Sequence, residues 1–312
     1  MSKYHLTFIY ILIIILFSWM AFPSFKSKQP DVFSADDSKE ATFLNPAEGG
    51  QPLIKMFELP ENPNFAGEPV PLKNPDILER FEREIYVNAY WHSNTIMLMK
   101  RAGKFLPIIE PILAKNGIPD DFKYLAMIES GLMNVVSPAG ARGFWQFMES
   151  TGKEYKLEIN REVDERYHLE KSTQAACDYL KTAYARFGNW TNVAASYNMG
   201  IAGLTRRINN QQMPNYYDLY LNEETSRYLF RILAIKEIFE NPKKHGFAFQ
   251  NDDLYRMPTF RELMVAERID DLASWAIKHN SNYKELKIYN PWLRSDKLTL
   301  ASKGRSYKIL LP

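Results

Sequence analysis

The chain has 312 residues and a formal net charge of +2; 46% of its residues are hydrophobic and 24% are charged. That balance fits one large globular domain or two smaller ones, and a charge so close to zero excludes the basic footprint of a nucleic-acid binder. Cys177 is the only cysteine, and His5, His92, His168, His245 and His279 are scattered, so an internal disulfide and cysteine-rich zinc sites are excluded and no metal or other cofactor is expected.

Lys3 precedes an uncharged run from Leu6 to Phe22, 17 residues long. Extended over residues 4–25, passing over His5, it reaches the ~20 residues that cross a bilayer. No small-x-small cleavage site follows, because Phe22 and Pro23 stand where one would be read. Residues 1–25 therefore read as an uncleaved signal anchor, with the N-terminus inside and the bulk of the chain exported. Residues 26–75 carry eight prolines among Asp, Ser, Asn and Glu. That composition sustains neither helices nor a core, so the stretch reads as a disordered tether.

Helical periodicity begins near Asp76 and continues to about Asn241. Ile77, Phe81, Ile85 and Tyr86 mark one helix; Met97, Leu98, Leu106, Ile109 and Leu113 mark the next. Pro119, Asp120 and Asp121 read as a helix start, with proline in the first turn and acids at the positive end of the dipole, and Gly131 as its stop. Ser150-Thr151-Gly152 opens a short segment. Further helices are expected over 172–187, 191–197 and 224–240, with a glycine-marked turn at Gly200 and Gly203. From about Pro258 the pattern changes to a strand at 263–269, short helices at 271–279 and 283–289, and a β-prone end at 306–311. The expected architecture is mainly α: an all-helical domain over 76–248 and a small β-α-α-β module over 256–312.

Glu129 stands out within the helix read at 122–131. Phe122, Leu125, Ala126, Glu129 and Met133 recur at spacings of three and four, which puts a carboxylate in an apolar stripe. Burial favours its neutral form, and a carboxyl that keeps its proton near neutral pH is what a general acid requires. The structural alternative is an ion pair with Arg142 or a nearby lysine. Three more blocks follow: Gly143-Phe-Trp-Gln146-Phe-Met148, Ser196-Tyr197-Asn198-Met199-Gly200 and Glu224-Thr225-Ser226-Arg227-Tyr228. Each alone reads equally as surface amide, helix cap or core aromatic. Together they supply an acid, two amides and several aromatics, the inventory of a sugar site.

The order of these four blocks resembles the soluble lytic transglycosylase family, whose fold is goose-lysozyme-like. The Gly143–Met148 string with Ser150-Thr-Gly152, Asp164-Glu-Arg166 and Glu170-Lys-Ser-Thr173 is most similar to the membrane-bound murein transglycosylase D subgroup. The likeness covers about residues 118–240. It implies that Glu129 is the single catalytic acid and that Ser130, Gln146, Tyr197, Asn198 and Tyr228 bind substrate around it. Ser196, Met199 and Glu149 depart from the usual pattern without removing a group the chemistry needs. The partner implied is peptidoglycan, cut between N-acetylmuramic acid and N-acetylglucosamine, with the muramoyl 6-hydroxyl closing onto C1 to leave a 1,6-anhydro end. A hydrolytic muramidase and a non-catalytic wall binder are the alternatives. The expected address is the cell envelope, anchored in the membrane with the helical domain in the periplasm.

The C-terminal module resembles a LysM domain through Leu272-Ala-Ser-Trp275-Ala276, Tyr283, Leu286, Asn290-Pro-Trp-Leu293 and Tyr307–Pro312. Its usual turn glycine is replaced, because Ile269-Asp270-Asp271-Leu272 stands where Gly-Asp-Thr-Leu is common. Glycan binding and a purely packing role both stay open for it.

Overall fold

The computed structural model describes residues 55–300 and 305–312; the run read as a signal anchor and most of the tether lie outside them. Among the described residues, no helix is long and apolar enough to cross a membrane.

The part of the expected tether that is described packs rather than drifts. Asn64–Phe65 (β1) and Glu68–Pro69 (β2) form a two-residue antiparallel ladder, and Phe65 at its tip is fully buried against Phe122 at 5.1 Å. Two polar anchors hold this hairpin. The Glu68 carboxylate accepts from the backbone N–H groups of Trp190 (2.6 Å) and Thr191 (2.9 Å), and so caps the positive end of a helix more than a hundred residues away. Asp121 accepts from the Ala66 N–H at 2.6 Å and pairs with Lys236 at 2.7 Å. Asp121 thus fixes the hairpin instead of capping the helix that follows it, which has no side-chain cap. One buried aromatic and two carboxylates outweigh a proline-rich composition here.

The helices follow the sequence pattern closely. Pro75–Tyr90 (α1) starts at Asn74, whose side chain accepts from the Asp76 N–H, and buries Ile77, Phe81, Ile85 and Ala89 at helical spacing. His92–Lys115 (α2) runs through Pro107 and Pro111 without ending. Phe122–Ser130 (α3) stops where Gly131 takes a left-handed conformation at φ +60. Glu149–Glu154 (α4) is one short turn. Leu169–Phe187 (α5) closes on Gly188, and Trp190–Met199 (α6) opens on Asn189, whose side chain accepts from the Asn192 N–H. Ile201–Gln211 (α7) is a helix where a glycine-marked turn was expected. Gly203 lies inside it, and Leu204 is buried on its inner face. Glu223–Glu240 (α8) starts at Asn222 and packs along α1 in the most extensive helix pairing of the fold. The core around these helices is fully dry at Trp145, Phe122, Leu125, Leu180, Val193 and Leu229.

The C-terminal module is β-α-α-β as expected: Arg261–Val265 (β3), Leu272–Lys278 (α9), Tyr283–Tyr289 (α10) and Tyr307–Leu311 (β4). β3 and β4 pair antiparallel from Arg261↔Leu311 to Val265↔Tyr307. The strand ends at Val265, four residues before the expected limit. The core of the module is completed from outside it, because Val163 and Tyr167 of the helical body belong to the same cluster as Leu272, Leu286, Leu293 and Ile309. The loop at 158–167 also grips it through polar contacts. Arg294 N–H donates to the Glu162 carbonyl at 2.7 Å, Asp164 N–H to the Trp292 carbonyl at 2.9 Å, and the Tyr307 hydroxyl to the Glu158 carboxylate at 2.9 Å. The module is therefore seated on the helical body.

Candidate active site

The last turn of α3 delivers Glu129 and Ser130 to the wall of a cleft of about 730 Å³. α1 and the start of α2 form the facing wall with Glu84, Asn88, Trp91 and Asn94; α8 closes it with Glu224, Arg227 and Arg231. Period three to four on α8 puts Glu224, Arg227, Tyr228, Arg231 and Ile235 on one face toward the cleft.

Glu129 is half-buried, and its carboxylate has no ion pair among the described residues. Arg142, its expected partner in the structural alternative, pairs with Asp164 at 3.5 Å. The Tyr228 hydroxyl, itself buried, donates to Glu129 Oε1. Arg231 lies near enough for its charge to act, but its guanidinium donates to the Ile128 carbonyl at 2.9 Å. Burial dominates these effects and lifts the Glu129 carboxyl from its ordinary 4.5 to about 7. The Tyr228 hydrogen bond and the Arg231 charge pull it down, and the Glu224 charge pushes it up. A carboxyl that titrates near neutrality holds a proton to give and can take one back.

The remaining residues singled out in the sequence surround this point in different ways. Ser130 lines the cleft, and its hydroxyl donates back to the Ala126 carbonyl at 3.2 Å. Asn198 lies outside the cleft lining and bridges two α8 side chains: its Nδ2 donates at 2.9 Å to Glu224, which lines the cleft, and its Oδ1 accepts from Thr225 at 2.7 Å. The Tyr197 hydroxyl donates to the Trp145 carbonyl at 2.7 Å, and burial raises its pKa well above the ordinary value. Gln146 sits at φ +48, with its amide folded onto the carbonyls of Gly143 (2.8 Å) and Val135 (3.2 Å). Tyr197 and Gln146 thus brace the loop at 143–147, and neither is part of the cleft lining. That loop needs a glycine at 143: φ is +80, and a Cβ there would lie 1.9 Å from the Arg166 carbonyl oxygen.

Sequence reading missed the far wall. Trp91 is 60% exposed and lines the cleft, as do Asn88 and Asn94. Glu84 is buried, and its carboxylate holds Arg227 at 2.7 Å, tying α1 to α8 across the cleft floor. Nothing local marks these residues, since they lie 30 to 45 positions before Glu129 and only tertiary packing brings them over. Arg231 carried a usable signal, being one turn beyond Tyr228 on the same face.

These features are a lysozyme-like helical domain with one carboxyl, Glu129, poised near neutrality at the wall of a cleft. Residues 107–219 match the Transglycosylase SLT domain, and residues 261–312 match the soluble lytic transglycosylase C-terminal LysM-like domain. The chain belongs to the transglycosylase SLT family. It is 26% identical over 251 residues to the membrane-bound lytic murein transglycosylase D of Escherichia coli (strain K12), covering 77% of this chain and 52% of that protein. It is also 30% identical over 204 residues to a protein of Alteromonas sp. (strain M-1) named "Putative tributyltin chloride resistance protein", covering 63% of this chain and 92% of that one. The chain spans about half the length of its Escherichia coli relative.

Proposed function

We propose that the chain is a peptidoglycan lytic transglycosylase of the cell envelope, with Glu129 as both acid and base. The observation that carries this reading is a half-buried carboxyl lifted to about 7 at the wall of a cleft, with no cation paired to it among the described residues. Protonated Glu129 gives its proton to the glycosidic oxygen between N-acetylmuramic acid and N-acetylglucosamine, and the C1–O bond breaks. The muramoyl 6-hydroxyl forms a new bond to C1 and releases its proton to the Glu129 carboxylate. Water is not consumed, and the acid is regenerated for the next cycle.

The neighbours divide the supporting work. Tyr228 holds the carboxylate from behind while it is charged, and Ser130 flanks it at the cleft wall. Asn198 fixes Glu224 at the cleft edge. Tyr197 and Gln146 act through the 143–147 loop, which they stiffen. The exposed ring of Trp91 offers a stacking face for a sugar. An N-terminal anchor over residues 1–25 would keep this site near a membrane, in keeping with the name of the Escherichia coli relative.

Glu224 favours a second reading. It is a second carboxylate at the same cleft, and two carboxylates are the usual equipment for glycoside hydrolysis. Mass spectrometry of muropeptides released from purified sacculi separates the two. Anhydro-muropeptides from the wild type and none from Glu129→Gln are expected. Reducing ends alone would establish hydrolysis instead, and full activity in Glu129→Gln would refute Glu129 as the acid.

A further inference from the structure

A second cavity, of about 380 Å³, lies where the C-terminal module meets the helical body. Aromatic rings stand on both sides of it: Phe105 and Phe144 pack edge to face at 4.8 Å on one, and Phe260, Tyr289 and Trp292 come from the module on the other; Glu170 is an acid in the lining, paired with Lys308. Two cations one helical turn apart on α2 enter it, Arg101 and Lys104. Neither makes an ion pair among the described residues. Arg101 uses its Nε–H on the Gly131 carbonyl at 2.6 Å, and burial lowers its pKa. Lys104 lies over the rings of Phe105 and Tyr289, at 5.2 and 5.9 Å from their centroids. Lys308, at the same cavity, is by contrast already paired with Glu262 at 3.1 Å and Glu170 at 3.6 Å.

Uncompensated positive charge between low-dielectric walls selects an anion. The guanidinium suits a carboxylate in particular, because its flat fork matches the two oxygens. The aromatic rings beside these cations suit the methyl and methylene groups that accompany such a carboxylate. The position is as informative as the charge. Met133 lines both this cavity and the Glu129 cleft, and Gly131, which Arg101 holds, is two residues from Glu129. The two cavities therefore share a wall.

We propose that this second cavity receives the acidic peptide branch of a glycan strand whose sugars lie in the Glu129 cleft, with Lys104 and Arg101 meeting its carboxylates. The inference rests on the function proposed above and assigns the C-terminal module a role in choosing among peptidylated substrates. The full chain is tested on intact peptidoglycan and on glycan strands stripped of peptide by an amidase, as wild type, Lys104→Gln and Lys104→Glu. Lys104→Glu is expected to lower kcat/KM on the peptidylated substrate about tenfold, the scale of one partly screened charge contact, mostly through KM. Lys104→Gln should lose less, and both variants should act on bare strands like wild type. Equal losses on both substrates, or none on the peptidylated one, would overturn the proposal. Binding of a synthetic acidic tetrapeptide to the Glu129→Gln protein, followed by calorimetry, reads the cavity without turnover and should weaken with Lys104→Glu. No peptide binding, or binding of a fatty-acid carboxylate in its place, would overturn the inference. Peptide binding without turnover of either substrate by the wild type would overturn the proposed function alone.

Discussion

Replacing Glu129 with Gln should make the protein more stable, and only at high pH. The folded carboxyl titrates at about 7 against an ordinary 4.5, chiefly because burial disfavours its charged form. A raised folded pKa means that the stability contribution is fully present below the unfolded pKa and is lost as pH rises through the folded one. Between about pH 4.5 and 7, the wild type thus loses stability that a neutral amide does not. At ~1.36 kcal/mol per unit, the shift corresponds to roughly 3 kcal/mol, an upper bound because solvent in the cleft screens a half-buried group. Gln keeps the shape and still accepts from the Tyr228 hydroxyl, so packing changes little. For a domain of this size, ~1 kcal/mol moves Tm by about 2–4 °C. Thermal unfolding at pH 8 should then place Glu129→Gln several degrees above wild type, with the gap closing toward pH 4.5. A gap independent of pH, or a less stable variant at pH 8, would refute the claim that burial holds this carboxyl protonated.

Tyr228→Phe removes the donor that stabilises the charged carboxylate, so the Glu129 pKa should climb above about 7. A hydrogen bond to a charged group contributes ~1.5–3 kcal/mol, so the alkaline limb of the kcat/KM profile should move up by about one to two units; a limb that stays or falls would exclude the role given to Tyr228. Gly143→Ala combines φ +80 with a Cβ 1.9 Å from a backbone carbonyl, so the 143–147 loop must move. Loss of several kcal/mol in urea unfolding, together with most of the turnover, is expected; near-native behaviour would show that the loop is not braced as described.

The parts of this protein that were legible in its sequence are those in which one residue type answers one local need. Gly131 and Gly188 stop helices in the left-handed conformation, and the interval Tyr283–Tyr289 is the same in sequence and structure. Glu129 was legible because a carboxylate in an apolar stripe has few uses. The hairpin at 64–69 was not, because its strands are two residues long and its hold comes from Glu68 meeting a helix end 122 positions away. α7 was hidden by Gly203, although Leu204 and Ile208 kept helical spacing. A Cβ at 203 would touch nothing but the Met199 side chain, at 3.7 Å or more, so the glycine there answers no steric need. The sequence singled out Gln146 and Tyr197 but not their direction, since a side-chain amide or hydroxyl can face a sugar or a carbonyl; here both face carbonyls.

The same reasoning explains why two carboxylates of one cleft meet different surroundings. Glu129 is withdrawn into the wall, where its one strong contact is a neutral hydroxyl and burial prevails. Glu224 is exposed at the edge and accepts from the Asn198 amide. Its negative charge then works on Glu129 from outside, adding to the effect of burial, whereas Arg231 is diverted to the Ile128 carbonyl and opposes that effect only at a distance. Two neighbours of opposite sign thus leave the carboxyl near neutrality. If the positive one were bonded directly to Glu129, the carboxyl would fall back toward the ordinary carboxylate range.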